Sequence, residues 1–209
     1  MSTILAVKSS AGGAASVSNA LVDHAVARLT AGRPDLRVVE RDLDRAPIDH
    51  VRAQTLAGIG RQAPETADTA RVDALSKALI AEVREAEAIV IGSPMYNFGI
   101  TSTLKAWFDH VLRAGATFSY GADGPKGLVA NKPVLVIESR GGSYSEGPRT
   151  AWDAQEPHLR AMLEFIGLTD PTFVRVEGLA GGQDAVRAAK DEAIASIDTF
   201  ALSAAGEAR

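Results

Sequence analysis

The residues best able to do chemistry fall in three short stretches, and none is built on acids, bases or thiols. "KSSAGGAASVSNA" (Lys8 to Ala20) sets four serines, Ser9, Ser10, Ser16 and Ser18, and two glycines at or before the start of a helix pattern. Free N–H groups at a helix start attract a phosphate, and hydroxyls add donors without bulk. The plain alternative is a flexible linker in which Ser16 or Ser18 is an N-cap. In "PMYNFGITS", Met95, Tyr96, Asn97 and Phe98 offer backbone amides and a flat apolar wall. They could instead plug a sheet end, with Thr101 or Ser102 capping the next helix. "SRGGSYSEGP" puts Gly141 and Gly142 at a strand end. A missing Cβ there lets a planar ligand approach the backbone, or serves a tight turn with positive φ. Three such stretches at one crevice suit a ligand with both a phosphate and a large flat ring.

Other chemistries find little support. Zero cysteines exclude disulfides, thiolate nucleophiles and Cys-bound metals. His24, His50, His110 and His158 lack the spacing or flanking carboxylates of a metal site. No G-x-S-x-G is present, which argues against a nucleophile elbow. The serine stretch matches neither the dinucleotide nor the P-loop glycine pattern. A net charge of -4 makes no case for nucleic acid. Without 18 uninterrupted apolar residues, no membrane span is expected. The chain opens on a strand pattern rather than a secretory leader, so a cytoplasmic location is expected.

Positioning these stretches takes strands that end at them and helices that begin from them. "ILAV" (Ile4 to Val7) reads as a buried strand. A helix follows with Val17, Leu21, Val22, Ala25 and Leu29 on one face and Gly32 past its end. "LRVVERDL" (Leu36 to Leu43) reads as a half-buried strand. The segment from Pro47 to Pro64 is a mobile flap or a surface connection. A helix through Val72, Leu75, Leu79 and Val83 leads to the strand "AIVI". "PVLVIES" (Pro133 to Ser139) and "TFVRVEG" are the last two strands. Pro157 predicts a kink or a fresh start in the helix ending "LRAMLEFIG", and the final helix is predicted from about Gln183 to Leu202. Trp107 and Phe108 have core spacing. The connection 115–132 is longer than most loops. Five strands alternating with helices in 209 residues predict one α/β domain, a three-layer sandwich around a five-stranded parallel sheet.

"PMYNFGITSTLKAWFDHVLRAGATFSY", "GPKGLV", "SRGG" and "LEFIGLTD" resemble the FMN-dependent NADH:quinone oxidoreductases and azoreductases, homodimers of flavodoxin-like fold. The likeness runs from "ILAVKSS" to the last helix. It implies that Ser10, Ser16, Val17 and Ser18 hold the FMN phosphate, and that Met95, Tyr96, Asn97 and Phe98 line the isoalloxazine ring. It places Ser139, Arg140, Gly141 and Gly142 at the ring's pyrimidine side, and Tyr120 at the substrate pocket. Tyr144 stands where some members have histidine and Met162 where some have phenylalanine, so both bear on substrate choice. The implied activity is ping-pong hydride transfer from NADH, with NADPH as the alternative donor, through FMN to quinones or azo compounds. An electron carrier or a non-catalytic flavin-binding module would share the fold, and steady-state NADH oxidation separates them.

Overall fold

The computed structural model describes residues 2–60 and 63–207. Its strands are β1 (Thr3–Lys8), β2 (Arg37–Asp42), β3 (Ala86–Pro94), β4 (Phe118–Gly121), β5 (Gly124–Gly127), β6 (Val134–Ser139) and β7 (Thr172–Val176). Five of them form a sheet in the order β2-β1-β3-β6-β7, every neighbour parallel. The helices are α1 (Val17–Thr30), α2 (Leu56–Ile59), α3 (Ala67–Glu85), α4 (Ser102–Val111), α5 (Glu156–Ile166) and α6 (Gln183–Glu207).

Strand alternation sorts the core into two layers. Leu5, Val7, Ile89, Ile91, Val134 and Val136 face α3, α4 and α5. Ile4, Ala6, Ala88, Val90, Leu135 and Ile137 face α1 and α6. The sheet is covered on both faces, which is why its inner strands read as unbroken apolar runs. Trp107 and Phe108 are buried in the first layer, their rings edge-on at 4.8 Å. β2 is the sheet edge and more exposed than a half-buried strand. At Gly92 a Cβ would fall 2.8 Å from Val22 Cγ2. This glycine lets α1 lie close on β3, bringing the helix start to the strand ends.

Several sequence expectations find a definite form. Pro157 lies in the first turn of α5, after a separate 3₁₀ turn, Gly147–Trp152, so it marks a fresh start rather than a kink. The Pro47 to Pro64 segment, apart from Arg61 and Gln62, which lie outside the described residues, carries α2. It is pinned by buried Ile48 and by His110 Nε2, 3.1 Å from the Asp49 carbonyl. The final helix extends beyond Leu202 to Glu207.

The connection 115–132 is a structured element rather than a plain loop. β4 and β5 form an antiparallel ribbon within it, pairing Phe118 with Gly127 and Gly121 with Gly124. Ala122 and Asp123 form the turn, and Gly124 follows it at φ 102°, a conformation glycine adopts without steric cost. The ribbon rests on the end of α5: the Phe118 ring lies 4.6 Å from that of Phe165, and the Val129 N–H donates to the Ile166 carbonyl at 2.9 Å. Gly167 ends α5 at φ 109°, where a Cβ would lie 2.5 Å from the Val129 carbonyl oxygen.

That contact makes Gly167 hard to replace. Gly167→Ala is expected to cost about 1–3 kcal/mol from backbone strain before any clash is counted. A urea unfolding curve with an unchanged midpoint would show that the ribbon yields freely.

Candidate active site

β1, β3 and β6 end side by side, with Lys8 opposite Gly92 and Pro94 opposite Ser139. The three chemistry-bearing stretches therefore meet at one edge, at the carboxyl ends of the strands. The chain order reverses between β1 and β3, the place where open α/β sheets bind ligands.

The serine stretch is held from below. Ser9 Oγ donates to the Gly92 carbonyl at 2.7 Å, and Ser10 Oγ accepts the Gly12 N–H at 3.2 Å. Buried Ser16 is the N-cap of α1: its Oγ accepts the Asn19 N–H at 3.1 Å and lies 3.3 Å from Ser18 Oγ. The cap reading holds, and it leaves the N–H groups of half-buried Val17 and buried Ser18 without an acceptor among the described residues. These are the orphan donors of a helix start. Lys8 is not available to them, because its ammonium pairs with Asp23 at 2.6 Å and Glu40 at 2.9 Å.

The second stretch is a strained two-residue turn. Tyr96 and Gly99 exchange both hydrogen bonds, at 2.9 and 3.1 Å, while Asn97 has φ 50° and Phe98 φ 73°. Positive φ at both central residues is the type I′ pattern, and a bulky residue seldom adopts it. Three bonds hold it in place. The Met95 N–H donates to the Ser139 carbonyl at 2.8 Å, and the Ala154 N–H to the Phe98 carbonyl at 3.0 Å. The Ala11 N–H donates to the Tyr96 hydroxyl at 3.2 Å, joining this turn to the serine stretch. The N–H groups of Asn97 and Phe98 have no acceptor among the described residues. Of the two proposed caps for α4, Thr101 serves, accepting the Leu104 N–H at 3.2 Å.

In the third stretch neither Gly141 nor Gly142 has positive φ, so conformational need does not explain them. The Gly141 carbonyl accepts the Ala180 N–H at 2.9 Å and the Gly142 carbonyl the Gly178 N–H at 3.2 Å. The N–H groups of Gly141, Gly142 and Ser143 are left without acceptors among the described residues. A Cβ on Gly141 would meet nothing closer than Ala180 Cβ at 3.9 Å. Space above this backbone is open.

Two expected site residues turn inward. Arg140 was placed at the ring by resemblance, but its side chain is fully buried. Nε donates to Gln155 Oε1 at 3.0 Å, Nη1 to Glu177 Oε1 at 3.0 Å and Nη2 to Glu138 Oε2 at 2.7 Å. Asp153 lies 3.0 Å from Nη2. Its guanidinium ties the loops together beneath the crevice. Met162 points into the core beside Leu159, Leu163 and Ile166 and is only 7% exposed, since it lies on the face of α5 turned to the sheet. Tyr120 is 65% exposed on β4. Tyr144 is half-buried, its ring 6.2 Å from that of Phe98.

The sequence reading did not identify the partners of Arg140. Gln155 Nε2 donates to the Ser93 carbonyl at 2.7 Å, carrying the network to the end of β3. Glu177 Oε1 accepts the Tyr144 and Ser145 N–H groups at 2.8 and 3.0 Å. Burial opposes ionisation of Glu177, but bonds from Ser145, Tyr144 and Arg140 hold its carboxyl below the usual range. Glu138 goes the other way. Burial, with Glu156 and Asp153 nearby, outweighs the opposing pull of Arg140 and pushes it up to about 8. Burial thus keeps the deepest acid of the cluster protonated at neutral pH. A carboxyl inside "VLVIES" was the available sequence signal, because Glu is almost never fully buried unpaired.

A family profile described as flavodoxin-like fold matches residues 2–200. The FMN-dependent NADH:quinone oxidoreductase of Hyphomonas neptunium is 44% identical, covering 98% of this chain and 100% of that protein. That of Herminiimonas arsenicoxydans is also 44% identical, covering 90% and 93%. Among solved structures, an azoreductase from Bacillus anthracis str. Sterne superposes with a TM-score of 0.87 at 28% identity, covering 96% and 99%.

The raised Glu138 sets a pH dependence. The folded state keeps a proton that the unfolded chain releases near 4.5, so this group's contribution is full below that value and is lost as pH rises toward 8. Stability of the native chain, relative to Glu138→Gln, should fall by up to about 1.4 kcal/mol per pH unit across that window. Urea unfolding from pH 5 to 8.5 tests it, and parallel stability curves for the two proteins would show that Glu138 is ionised throughout.

Proposed function

The chain belongs to the family of FMN-dependent NADH:quinone oxidoreductases with a flavodoxin-like fold, and from that membership we propose how its own residues bind FMN and admit a quinone or azo acceptor. It is an oxidoreductase. When bound, FMN would supply the hydride-carrying chemistry between NADH and the acceptor, and the chain's residues would hold and orient it.

One observation carries the assignment of the site: three adjoining loops each leave at least two backbone N–H groups without an acceptor among the described residues, and no histidine or cysteine occurs in their sequences. Such an array suits an anionic, ring-bearing ligand whose own chemistry needs no side-chain proton donor. The Val17 and Ser18 N–H groups, with the hydroxyls of Ser10, Ser16 and Ser18, would hold the phosphate at the start of α1. Met95, Tyr96, Asn97 and Phe98 would line the ring, with the rigid Asn97–Phe98 turn presenting its donors to the ring edge. Gly141 and Gly142 would present fixed N–H groups to the pyrimidine side, favouring negative charge there as an oxyanion hole does. Ser139 contributes through its carbonyl, which sets Met95, and Arg140 through the loops it ties together. Donor and acceptor would use the same open face in turn, giving ping-pong kinetics.

The partner we propose is a second copy of the chain. Tyr96, Phe98 and Trp152 beside the crevice are 42, 46 and 58% exposed and Tyr120 on the ribbon is 65% exposed, and large rings so exposed mark an interface or a binding surface.

Anaerobic NADH should bleach the visible absorption of the FMN-loaded protein, a quinone should restore it, and double-reciprocal plots should be parallel. Intersecting lines would rule out the ping-pong order. Replacing Ser16 and Ser18 together with alanine should weaken FMN binding by about 1.5–3 kcal/mol for each bond lost to the charged phosphate. The lost N-cap should cost a further ~1 kcal/mol of stability, so fluorescence titration is needed beside melting. Gly141→Val should lower FMN affinity with little change in melting temperature, because the space over that Cα is open. An unchanged FMN dissociation constant would move the ring elsewhere.

A further inference from the structure

An unpaired cation borders the glycine pair. Arg149 lies in the 3₁₀ turn Gly147–Trp152, is exposed, and makes no ion pair or hydrogen bond among the described residues. Its Nη1 lies so near Gly142 that a Cβ there would be 2.8 Å away, and the same Cβ would be 3.2 Å from the Tyr144 ring. Trp152, at the end of the turn, meets the Phe98 ring edge-on at 5.8 Å, and Tyr144 meets Phe98 from another side at 6.2 Å. Phe98, Tyr144, Trp152 and Arg149 thus surround one patch of open backbone.

This arrangement is held in place. Thr150 Oγ1 donates to the Gly147 carbonyl at 2.9 Å, and the Ala154 N–H anchors the exit of the turn to Phe98. Nearby acids are already engaged: Asp153 and Glu177 both pair with Arg140. Glu146, exposed in the same loop, forms no pair with Arg149. The guanidinium is therefore available to an outside anion. Its planar fork matches the oxygens of a sulfonate or carboxylate, and the three rings offer apolar faces and edges to a flat ring system.

We propose that Arg149, flanked by Phe98, Tyr144 and Trp152, determines acceptor specificity by selecting planar aromatic acceptors that carry a sulfonate or carboxylate. The inference rests on the oxidoreductase reading and deepens it, because the cation sits beside the loop assigned to the flavin. A phosphate of the nicotinamide donor offers similar oxyanion chemistry, so the test separates the two sources.

The FMN-loaded protein, Arg149→Ala and Arg149→Lys are compared with 1,4-naphthoquinone and its 2-sulfonate, using NADH and then NADPH as donor. The alanine variant should raise KM for the sulfonate by about tenfold, and lysine should restore part of it, while KM for the uncharged quinone and for either donor moves less than about twofold. Added salt should raise KM for the sulfonate in the native protein and not in Arg149→Ala. Naphthalene-2-sulfonate, which cannot be reduced, is titrated by calorimetry and should bind about tenfold more weakly to Arg149→Ala. Equal losses for charged and uncharged quinones, or an unchanged calorimetric dissociation constant, overturn the proposal. So does a loss confined to the donor, which would assign Arg149 to a donor phosphate. A fall in oligomeric mass with equal losses on both quinones makes it a subunit contact and also overturns the proposal. If the protein fails to oxidise NADH, the functional reading fails, while the calorimetric arm still decides whether an anion subsite exists.

Discussion

The buried guanidinium of Arg140 holds the working edge of this molecule together. A charge taken fully out of water is tolerated only when well paired and hydrogen-bonded, and Arg140 satisfies that condition by recruiting distant parts of the chain. Glu138 comes from the same strand, Asp153 and Gln155 from the approach to α5, and Glu177 from the end of β7. Gln155 then binds Ser93 at the end of β3, and Glu177 binds the backbone at Tyr144 and Ser145. Loops of irregular backbone thereby acquire the fixed geometry that a binding site built from N–H groups requires. Removing the cation would leave several acids facing one another in a dry interior.

This dependence explains how the Asn97–Phe98 turn survives. Two non-glycine residues at positive φ cost free energy, and an isolated turn of that sequence would relax. Here its ends are bound to Ser139 and Ala154, and Tyr96 reaches Ala11 across the crevice. The serine stretch is in turn bound to the carbonyl of Gly92 through Ser9. Strain at one loop is thus balanced by bonds to two others. Such mutual support, with the Arg140 network beneath it, gives a crevice lined by main chain its stiffness.

Much of this was legible in the sequence because it follows from periodicity. Apolar runs at Ile4 to Val7, Ala88 to Ile91 and Val134 to Ile137 define a sheet buried on both faces, and helical spacing supplies its cover. The strand-end location of the three stretches then follows from topology, without knowledge of any contact. What escaped is what depends on side-chain direction or long-range pairing. Arg140 sits one residue past a strand, and nothing local says whether its side chain turns to the ligand or the core. Met162 lies in an amphipathic helix whose buried face includes its position, a signal outweighed by resemblance. The β4–β5 ribbon lay within a connection marked only by its length, because its strands, "FSYG" and "GPKG", have too little apolar alternation to announce themselves. Gln155 gives no local cue, because its role exists only once Arg140 and Ser93 have been brought together.

The openness of the crevice is the remaining constraint. A cavity of about 750 Å³ does exist in the chain, but it lies at the opposite end of the strands, near Ile4, Arg33, Glu87 and Phe200, and touches none of the three loops. Its walls are already engaged, Arg33 with Asp35 and Glu87 and Asn131 with Asp170, so it offers no donor array comparable to the loops. At the loop edge the geometry is reversed: many donors, and no enclosure. One chain supplies a stiff floor of N–H groups with aromatic rings standing around it. A flat cofactor laid on that floor would be covered on one face only. Exclusion of water from the other face, which hydride chemistry favours, must then come from whatever next occupies it. Alternating donor and acceptor on the same face, with the second subunit proposed above closing the side, meets that need without a lid. On this reading the exposure of Phe98 and Trp152 is retained because each ring completes a wall only when a substrate or a second chain is present.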